Sequence, residues 1–245
     1  MSDEKPISLE RALEILEHGV VDAEHGAIRW SSNHTFLISV THQGDTIAAV
    51  YKPQRGERPL WDFPDGTLCY RERAAFLTSQ ALNWELVPPT ALRDGPRGLG
   101  SMQFFIEHDP EYNYFSFDPS LIPQLMRLAL FDVLVNNADR KGGHCIVDSQ
   151  NHLWGIDHGI TFHHAYKLRT VIWDFAGQPI PDTWLADVQT LYDRLQTPND
   201  TFCEAIHQLI SASEVKAFIR RMEQLLTTKR YPSPGPGPNY PWPPV

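Results

Sequence analysis

The sequence predicts a mixed α+β fold in which a small β-rich N-terminal lobe precedes a mostly helical C-terminal lobe. Short β-rich segments separated by turn residues dominate residues 1–107, with one prominent helix among them. Over residues 108–230 the apolar positions follow a helical period, interrupted by one short hairpin. Residues 231–245 are dense in proline and are predicted to form a polyproline-like tail, either disordered or held to the body by Tyr240 and Trp242.

The elements of the N-terminal lobe follow from caps, turns and alternation. Ser8 is placed to cap the first helix and Gly19 to end it. The Gln43-Gly44-Asp45 segment is a turn signal between two apolar runs, which predicts a hairpin. The expected elements are a helix over 9–18, strands over 27–30, 35–40 and 46–52, a helix over 68–82 and a strand over 100–107.

The C-terminal lobe is predicted in the same way. Asp118-Pro119 opens a long helix that extends to about Asn136. Two short apolar strands, over 144–147 and 152–156, are joined by a polar turn and read as a hairpin. Helical periodicity returns over 181–227, with a break near 197–200.

Composition restricts the function classes. The chain has 245 residues, 42% of them hydrophobic, and a net charge of -9, so it is expected to fold as a globular protein with an acidic surface and no nucleic-acid partner. Three widely separated cysteines predict neither a disulfide framework nor a zinc knuckle. Because no apolar run is long enough to span a bilayer and the start of the chain is polar, we expect no integral membrane association and a cytoplasmic location.

The first segment with residues suited to binding or catalysis is Ala48 to Pro53. It carries Lys52 near the end of a predicted buried strand. A buried ammonium is costly without an anionic partner, and phosphate oxygens together with Glu72 on the next helix would satisfy it. The alternative is a surface lysine with its charge in water and an exposed glutamate.

The second segment is Asn136-Asn137-Ala138-Asp139-Arg140-Lys141-Gly142-Gly143-His144, where the long helix gives way to a strand. Its glycines allow a sharp turn and a close approach of the backbone to a ligand. Asp139 would act as a general base or position an acceptor, Lys141 would offset charge on a transferred group, and His144 would bind a metal. The alternative is an ordinary polar turn.

The third segment, Leu153 to Gly159, places Asp157 directly after an apolar strand. A carboxylate at a strand end suits Mg²⁺, which takes few protein ligands and completes its shell with water and phosphate. The hairpin between the second and third segments is expected to bring Asp139, His144 and Asp157 to one end of the same two strands.

Taken together, these segments resemble the atypical kinase superfamily, which includes phosphatidylinositol 3-/4-kinases, HipA-type serine kinases and secretory-pathway kinases. The likeness spans about residues 31–162, and the whole chain is similar to a bacterial family described as phosphatidylinositol 3-/4-kinase-like. The resemblance implies a two-lobed protein-kinase-like fold, with ATP and Mg²⁺ as cofactors.

The resemblance also implies roles for individual positions. Lys52 would contact the α- and β-phosphates, held by Glu72, while Asp139 would match the catalytic aspartate and Asp157 the metal-binding aspartate. The remaining nucleotide contacts would come from a phosphate-covering loop and from the hinge that meets adenine, which together comprise Ser31, Ser32, Asn33, Thr35, Gln103, Phe104, Phe105 and Ile106.

The chain departs from the family pattern at two places. His144 stands where the second metal-binding asparagine is expected, and imidazole is a softer ligand, which makes Mn²⁺ an alternative to Mg²⁺. The phosphate-covering loop lacks glycine.

The function expected from these features is transfer of the γ-phosphate of ATP to a hydroxyl on a protein, a small molecule or a phosphoinositide. Two alternatives stay open. One is a nucleotide-binding pseudokinase, and the other is a metal-dependent phosphohydrolase built on Asp139, His144, Asp157 and His158 with His163 and His164.

Overall fold

The computed structural model describes residues 7–27 and 34–245, with only the backbone of Ala27. The chain forms two compact units, the first comprising the chain up to Arg73 together with Pro88–Ile106, and the second Ala74–Val87 with Glu107–Val245. The predicted boundary at residue 107 took no account of Ala74–Val87. This segment belongs to the second unit because the Gly155 amide donates to the Leu86 carbonyl (2.7 Å), which joins it to the hairpin there.

The described residues contain these helices and strands, in chain order: α1 (Leu9–His18), β1 (Val20–Ala27), β2 (Phe36–His42), β3 (Asp45–Pro53), α2 (Leu68–Ala81), β4 (Thr90–Gly95), β5 (Gly98–Phe104), α3 (Ile122–Val135), β6 (Cys145–Val147), β7 (Leu153–Gly155), α4 (Asp182–Gln196), α5 (Thr201–Leu209) and α6 (Ala212–Thr228).

The first unit is built on an antiparallel sheet with strand order β1-β2-β3-β5-β4. The predicted hairpin is present, and Gln43 and Gly44 both take positive φ in its two-residue turn, as this turn type requires. The Ser8 side chain caps α1, accepting from the Arg11 amide at 3.2 Å. Apolar residues of α1 and alternate residues of the strands share one core, which includes Ala12, Ile15, Leu16, Ile38, Val40, Ala49, Tyr51 and Met102.

Two strands of this sheet, β1 and β4, were not predicted. Strand β1 lies at Val20–Ala27 and β4 at Thr90–Gly95, whereas residues 28–30 of the strand expected over 27–30 lie outside the described residues. Both are edge strands, each with a single neighbour. They carry charged residues and little apolar alternation, so their pairing depends on backbone hydrogen bonds that the sequence pattern does not reveal.

The second unit is organised around α3, which is buried on nearly every side from Leu128 to Val135. Helices α4 and α6 pack together, and α6 also packs on α3. The region predicted as two helices contains three, because a second break precedes Ser211. This residue forms a capping box with Glu214, each side chain bonding the backbone N–H of the other.

The C-terminal segment follows the body of the second unit, but its predicted anchors do not hold it. The side chains of Tyr240 and Trp242 are 57% and 89% exposed, whereas Pro241 between them is buried. An aromatic ring flanked by prolines has little freedom to turn inward, so here the backbone makes the contacts that were expected from the rings.

Beyond Tyr231, the backbone carbonyls of Asn239 and Pro244 attach this segment. The Asn239 carbonyl accepts from the Thr170 amide and from the Trp173 indole, both at 3.0 Å. The Pro244 carbonyl accepts from the amide of Gly142 at 2.8 Å. The proline-rich segment therefore lies directly on the Asn136–His144 loop. Separately, none of the helices in the described ranges has both the length and the apolar character needed to cross a lipid bilayer.

Candidate active site

Within the first unit, Lys52 and Glu72 form an ion pair. Lys52 lies on β3 with a side chain 20% exposed, and its Nζ donates to Glu72 Oε1 at 2.5 Å. Glu72 lies on α2 with a side chain only 3% exposed. A carboxylate this deeply buried needs a cation, so it fixes the Lys52 ammonium in one position. The expected alternative, a snorkelling lysine with an exposed glutamate, does not describe this pair.

The predicted hinge and phosphate-covering loop are only partly defined. Ser31, Ser32 and Asn33 lie outside the described residues, and Thr35, at the end of that loop, is buried. Their contact with phosphate stays a prediction.

At the hinge, two polar groups are already engaged within the first unit. The buried Gln103 side chain donates to Thr90 Oγ1 at 2.9 Å, and the Phe105 amide donates to the Ala48 carbonyl at 3.0 Å. Phe104 is partly exposed and Ile106 is buried. Neither the Gln103 side chain nor the Phe105 amide is therefore a ready adenine contact, and any hinge contact would come from other atoms.

Within the second unit, the loop after α3 is held at its start by two asparagines. Asn136 ends the helix in the left-handed conformation, and its Nδ2 donates to the carbonyls of His163 (3.0 Å) and Ala165 (2.7 Å). The Asn137 Oδ1 accepts from the Asp139 amide at 3.0 Å. Asparagine suits position 136 because it tolerates positive φ, and it suits both positions because its side chain offers both a donor and an acceptor.

Arg140 occupies the centre of this loop and is fully buried. Its guanidinium forms a bidentate ion pair with the equally buried Asp132 of α3, at 2.9 and 3.0 Å. The same group donates to the carbonyls of His144 (3.0 Å) and Ile156 (2.8 Å). Arg140 thus links the carbonyls of His144 and Ile156 to Asp132 on α3. Only arginine has a planar guanidinium with enough donors for all of these contacts.

Gly142 is required by close packing rather than by a left-handed turn. A Cβ at this position would meet the Phe115 ring at 2.6 Å, shorter than any tolerated contact. The glycine therefore allows Phe115 and the C-terminal segment to approach the loop backbone.

His144 contacts the backbone of Asp139 and the carboxylate of Asp157. Its Nδ1 lies 3.0 Å from the Asp139 carbonyl, and its Nε2 lies 3.3 Å from Asp157 Oδ2. Because a carbonyl only accepts, Nδ1 carries a proton, which leaves Nε2 as the ring nitrogen that faces Asp157. Asp157 adopts a left-handed φ of 59°, unusual for aspartate outside turns and functional sites. The second unit thus brings together Asp139, His144 and Asp157.

The carboxylate of Asp139 is the most perturbed acid of this group. Burial, opposed by Lys141 and reinforced by the charge of Asp157, raises the pKa of Asp139 to about 6. Lys141 Nζ lies 3.5 Å from Asp139 Oδ2, too far for a strong hydrogen bond. A carboxylate with a pKa near neutrality is suited to accept a proton.

The raised pKa of Asp139 gives a stability prediction for chelator-treated protein. The pKa of this carboxyl is about 4 in the unfolded chain and about 6 in the folded protein. It therefore destabilises the fold at pH values above the folded-state pKa and has no effect at pH values below the unfolded-state pKa. We expect Asp139→Asn to increase the free energy of unfolding by on the order of 2 kcal/mol at pH 7.5, and by almost nothing at pH 4. Urea unfolding at both pH values measures this. An equal effect at both would contradict it, and exposed Asp193→Asn is the control.

Sequence reasoning gave no role to Asp132 or Arg140, which assemble the loop. The available signal was a single carboxylate in the apolar helix Ile122–Val135, followed eight positions later by an arginine. A buried charge in an apolar helix requires a partner, so the Asp132–Arg140 pair could have been predicted from the sequence.

Of the histidines in the phosphohydrolase alternative, His144 lies beside Asp157, whereas His158 and His163 make other contacts. His158 Nε2 pairs with Arg140 Nη2 at 2.7 Å, and His163 stacks on His164. Over residues 7–27 and 34–245 no cluster of three or more His, Cys, Asp or Glu side chains is arranged to hold a metal by itself.

Comparison with solved structures identifies the fold. The crystal structure of the proinflammatory kinase CtkA from Helicobacter pylori matches with a TM-score of 0.52, covering 88% of this chain and 94% of that one. At 11% sequence identity the likeness concerns the fold alone. The predicted kinase-like α+β fold is confirmed.

Comparison with known sequences gives the family. No protein-family model matches the chain. Protein Rv2133c of Mycobacterium tuberculosis (strain ATCC 25618 / H37Rv) is 40% identical over 253 aligned residues, which cover 89% of this chain and 90% of that protein. Identity at this level over nearly the whole of both proteins shows common descent, and the chain belongs to the family of protein Rv2133c.

Proposed function

We propose that this protein is an ATP-dependent phosphotransferase of the atypical kinase type, which transfers the γ-phosphate to a hydroxyl group. The observation that carries the proposal is the grouping of Asp139, His144 and Asp157 in the second unit, with His144 within 3.3 Å of Asp157. The kinase-like fold and the Lys52–Glu72 pair of the first unit support it. A phosphoryl-transfer enzyme needs positioned charge more than covalent chemistry, and these residues supply it.

The second unit offers ligands that fit one divalent cation. Neighbouring ligands of an octahedral ion at about 2.1 Å lie about 3 Å apart, close to the 3.3 Å between His144 Nε2 and Asp157 Oδ2. His144 and Asp157 would hold Mg²⁺ or Mn²⁺, and the chemistry that such a cation supplies is neutralisation of phosphate charge. His144 favours Mn²⁺ over Mg²⁺ relative to an all-oxygen site.

The remaining roles belong to side chains of the chain itself. Lys52, held by Glu72, binds phosphate oxygens of ATP. Asp139 orients the acceptor hydroxyl and takes its proton, while Lys141 stabilises negative charge on the transferred group. The acceptor is a small molecule or a protein side chain, since the net charge of -9 opposes work on an anionic bilayer.

Nucleotide binding tests the proposal directly. We expect ATP with Mn²⁺ to raise the melting temperature of the wild-type protein, with Lys52→Met abolishing the shift because the ammonium is lost. Lys216→Met, which removes an exposed lysine from α6, is the matched control and should retain it. A wild-type protein whose melting temperature does not respond to ATP with either cation would overturn the proposal.

A nucleotide-binding pseudokinase is the second candidate, favoured by His144 at the position where the resemblance to atypical kinases implies a metal-binding asparagine. Release of ADP distinguishes the two. Stabilisation by ATP without ADP release, across protein and small-molecule acceptors, would select the pseudokinase.

A further inference from the structure

The second unit contains a cavity of about 300 Å³ whose lining includes none of Asp139, His144 and Asp157. Its lining residues include Arg221 and Arg230 together with Tyr166 and Thr228. Among the described residues that line it there is no aspartate or glutamate. In a chain with a net charge of -9, such a wall presents an unusual local excess of positive charge and hydrogen-bond donors.

Arg221 has unused hydrogen-bonding capacity. Its side chain is 8% exposed and forms no ion pair with any described residue. Nε donates to the Leu134 carbonyl at 2.8 Å, and Nη1 reaches the His163 carbonyl at 3.4 Å. The Phe218 ring lies 5.8 Å from the guanidinium carbon. Nη2 is buried without a hydrogen-bond partner within the described part of the chain.

A buried donor without an acceptor is a cost that native proteins normally relieve. Leaving one unsatisfied costs about 1–3 kcal/mol, and most such groups bind a water or an ion. Burial also lowers the pKa of Arg221 to about 9, because a cation removed from water is less stable than the neutral form. Because the Nη1 contact is at the limit of hydrogen-bond length, a small rotation of the guanidinium would present Nη2 to the cavity at little cost.

We propose that this cavity binds a small organic anion. A carboxylate or phosphate group would accept hydrogen bonds from Arg221 and Arg230, since both residues line the same space. An apolar body would pack against Val133, Leu225 and Tyr231, which form part of the same wall. Arg230 uses Nη1 for the Gly177 carbonyl at 2.7 Å, and its other guanidinium nitrogens are placed for a ligand.

Occupancy of the cavity would reach the start of the Asn136–His144 loop. The His163 carbonyl that Arg221 approaches also accepts from Asn136 Nδ2, and Leu134 lies two residues before Asn136. An anion that turns the guanidinium alters both contacts, so the cavity is an effector site for that loop. This coupling to catalysis rests on the proposed function, whereas the binding itself does not.

The binding test uses the full chain and four probes in titration calorimetry. We expect saturable binding of phenyl phosphate and benzoate, weaker binding of inorganic phosphate, which lacks the apolar body, and none of benzyl alcohol, which lacks the charge. The relative affinities of the first two decide between phosphate and carboxylate. Failure of both aromatic anions to bind would overturn the proposal.

Two pairs of variants locate the site. Thr228→Trp fills the rim of the cavity and should abolish binding, whereas Thr227→Trp, on the same exposed helix turn but outside the lining, should not. Arg230→Gln should weaken binding about tenfold or more, and exposed Lys216→Gln should leave it unchanged. Binding that survives Thr228→Trp but is lost in Lys52→Met would place the anion in the nucleotide site and overturn the proposal. That result would leave the phosphotransferase assignment intact.

Discussion

Asp139→Asn is expected to lower the rate of phosphoryl transfer by about 10²- to 10⁴-fold, the usual contribution of a positioned general base. The amide keeps the size of the side chain but cannot accept the proton of the acceptor hydroxyl. Phosphate incorporation from γ-labelled ATP, into the chain itself and into a panel of protein and small-molecule acceptors, measures the change. Asp193→Asn, an exposed substitution of the same kind on α4, should retain full activity.

The stability of the same variant separates a chemical defect from a folding defect. Because the pKa of Asp139 is raised to about 6 by burial, the asparagine variant should be at least as stable as wild type at pH 7.5. Loss of activity in a more stable protein is typical of a residue kept for function. Wild-type rates in Asp139→Asn would remove this residue from the catalytic role.

Arg140→Met is expected to lower the free energy of unfolding by about 3–5 kcal/mol, because it leaves the Asp132 carboxylate buried without its cation. Both side chains are 0% exposed, so water cannot replace the lost partner. Urea unfolding measures the loss. Arg194→Met, which breaks the partly exposed pair with Asp200, is the control and should cost less than about 1 kcal/mol.

Two further variants test the reason for this loss. Arg140→Lys should recover only part of the stability, since an ammonium cannot form the bidentate pair and also reach the His144 and Ile156 carbonyls. The double variant Arg140→Met/Asp132→Leu should recover more, because it leaves no uncompensated charge. A double variant no more stable than Arg140→Met would contradict the buried-charge explanation.

Local sequence signals were sufficient wherever an element carries its own caps, turns or periodicity. The Ser8 cap, the Gln43-Gly44 turn and the alternation of β2 and β3 predict the first helix and the first hairpin close to their observed bounds. The 148–151 turn likewise predicts the β6–β7 hairpin. These features depend on residues within a few positions of each other, so the sequence alone contains the information.

Other features depend on partners distant in the chain, and the sequence pattern did not give them. Strand β4 pairs with the edge of β5, and the end of the C-terminal segment is held by the carbonyls of Asn239 and Pro244 rather than by the rings of Tyr240 and Trp242. Backbone donors and acceptors are the same at every residue, so no residue type marks which of them will pair.

For the site, the sequence by itself determined which side chains have suitable chemistry, namely Lys52, Glu72, Asp139, His144 and Asp157. Only the tertiary structure decided how they are held. In the first unit it paired Glu72 with Lys52. In the second unit it placed His144 in contact with both Asp139 and Asp157, and it buried Arg140 against Asp132. The physical reason is that residue chemistry is local, whereas the desolvation that forces buried charges to pair arises only when distant segments pack together.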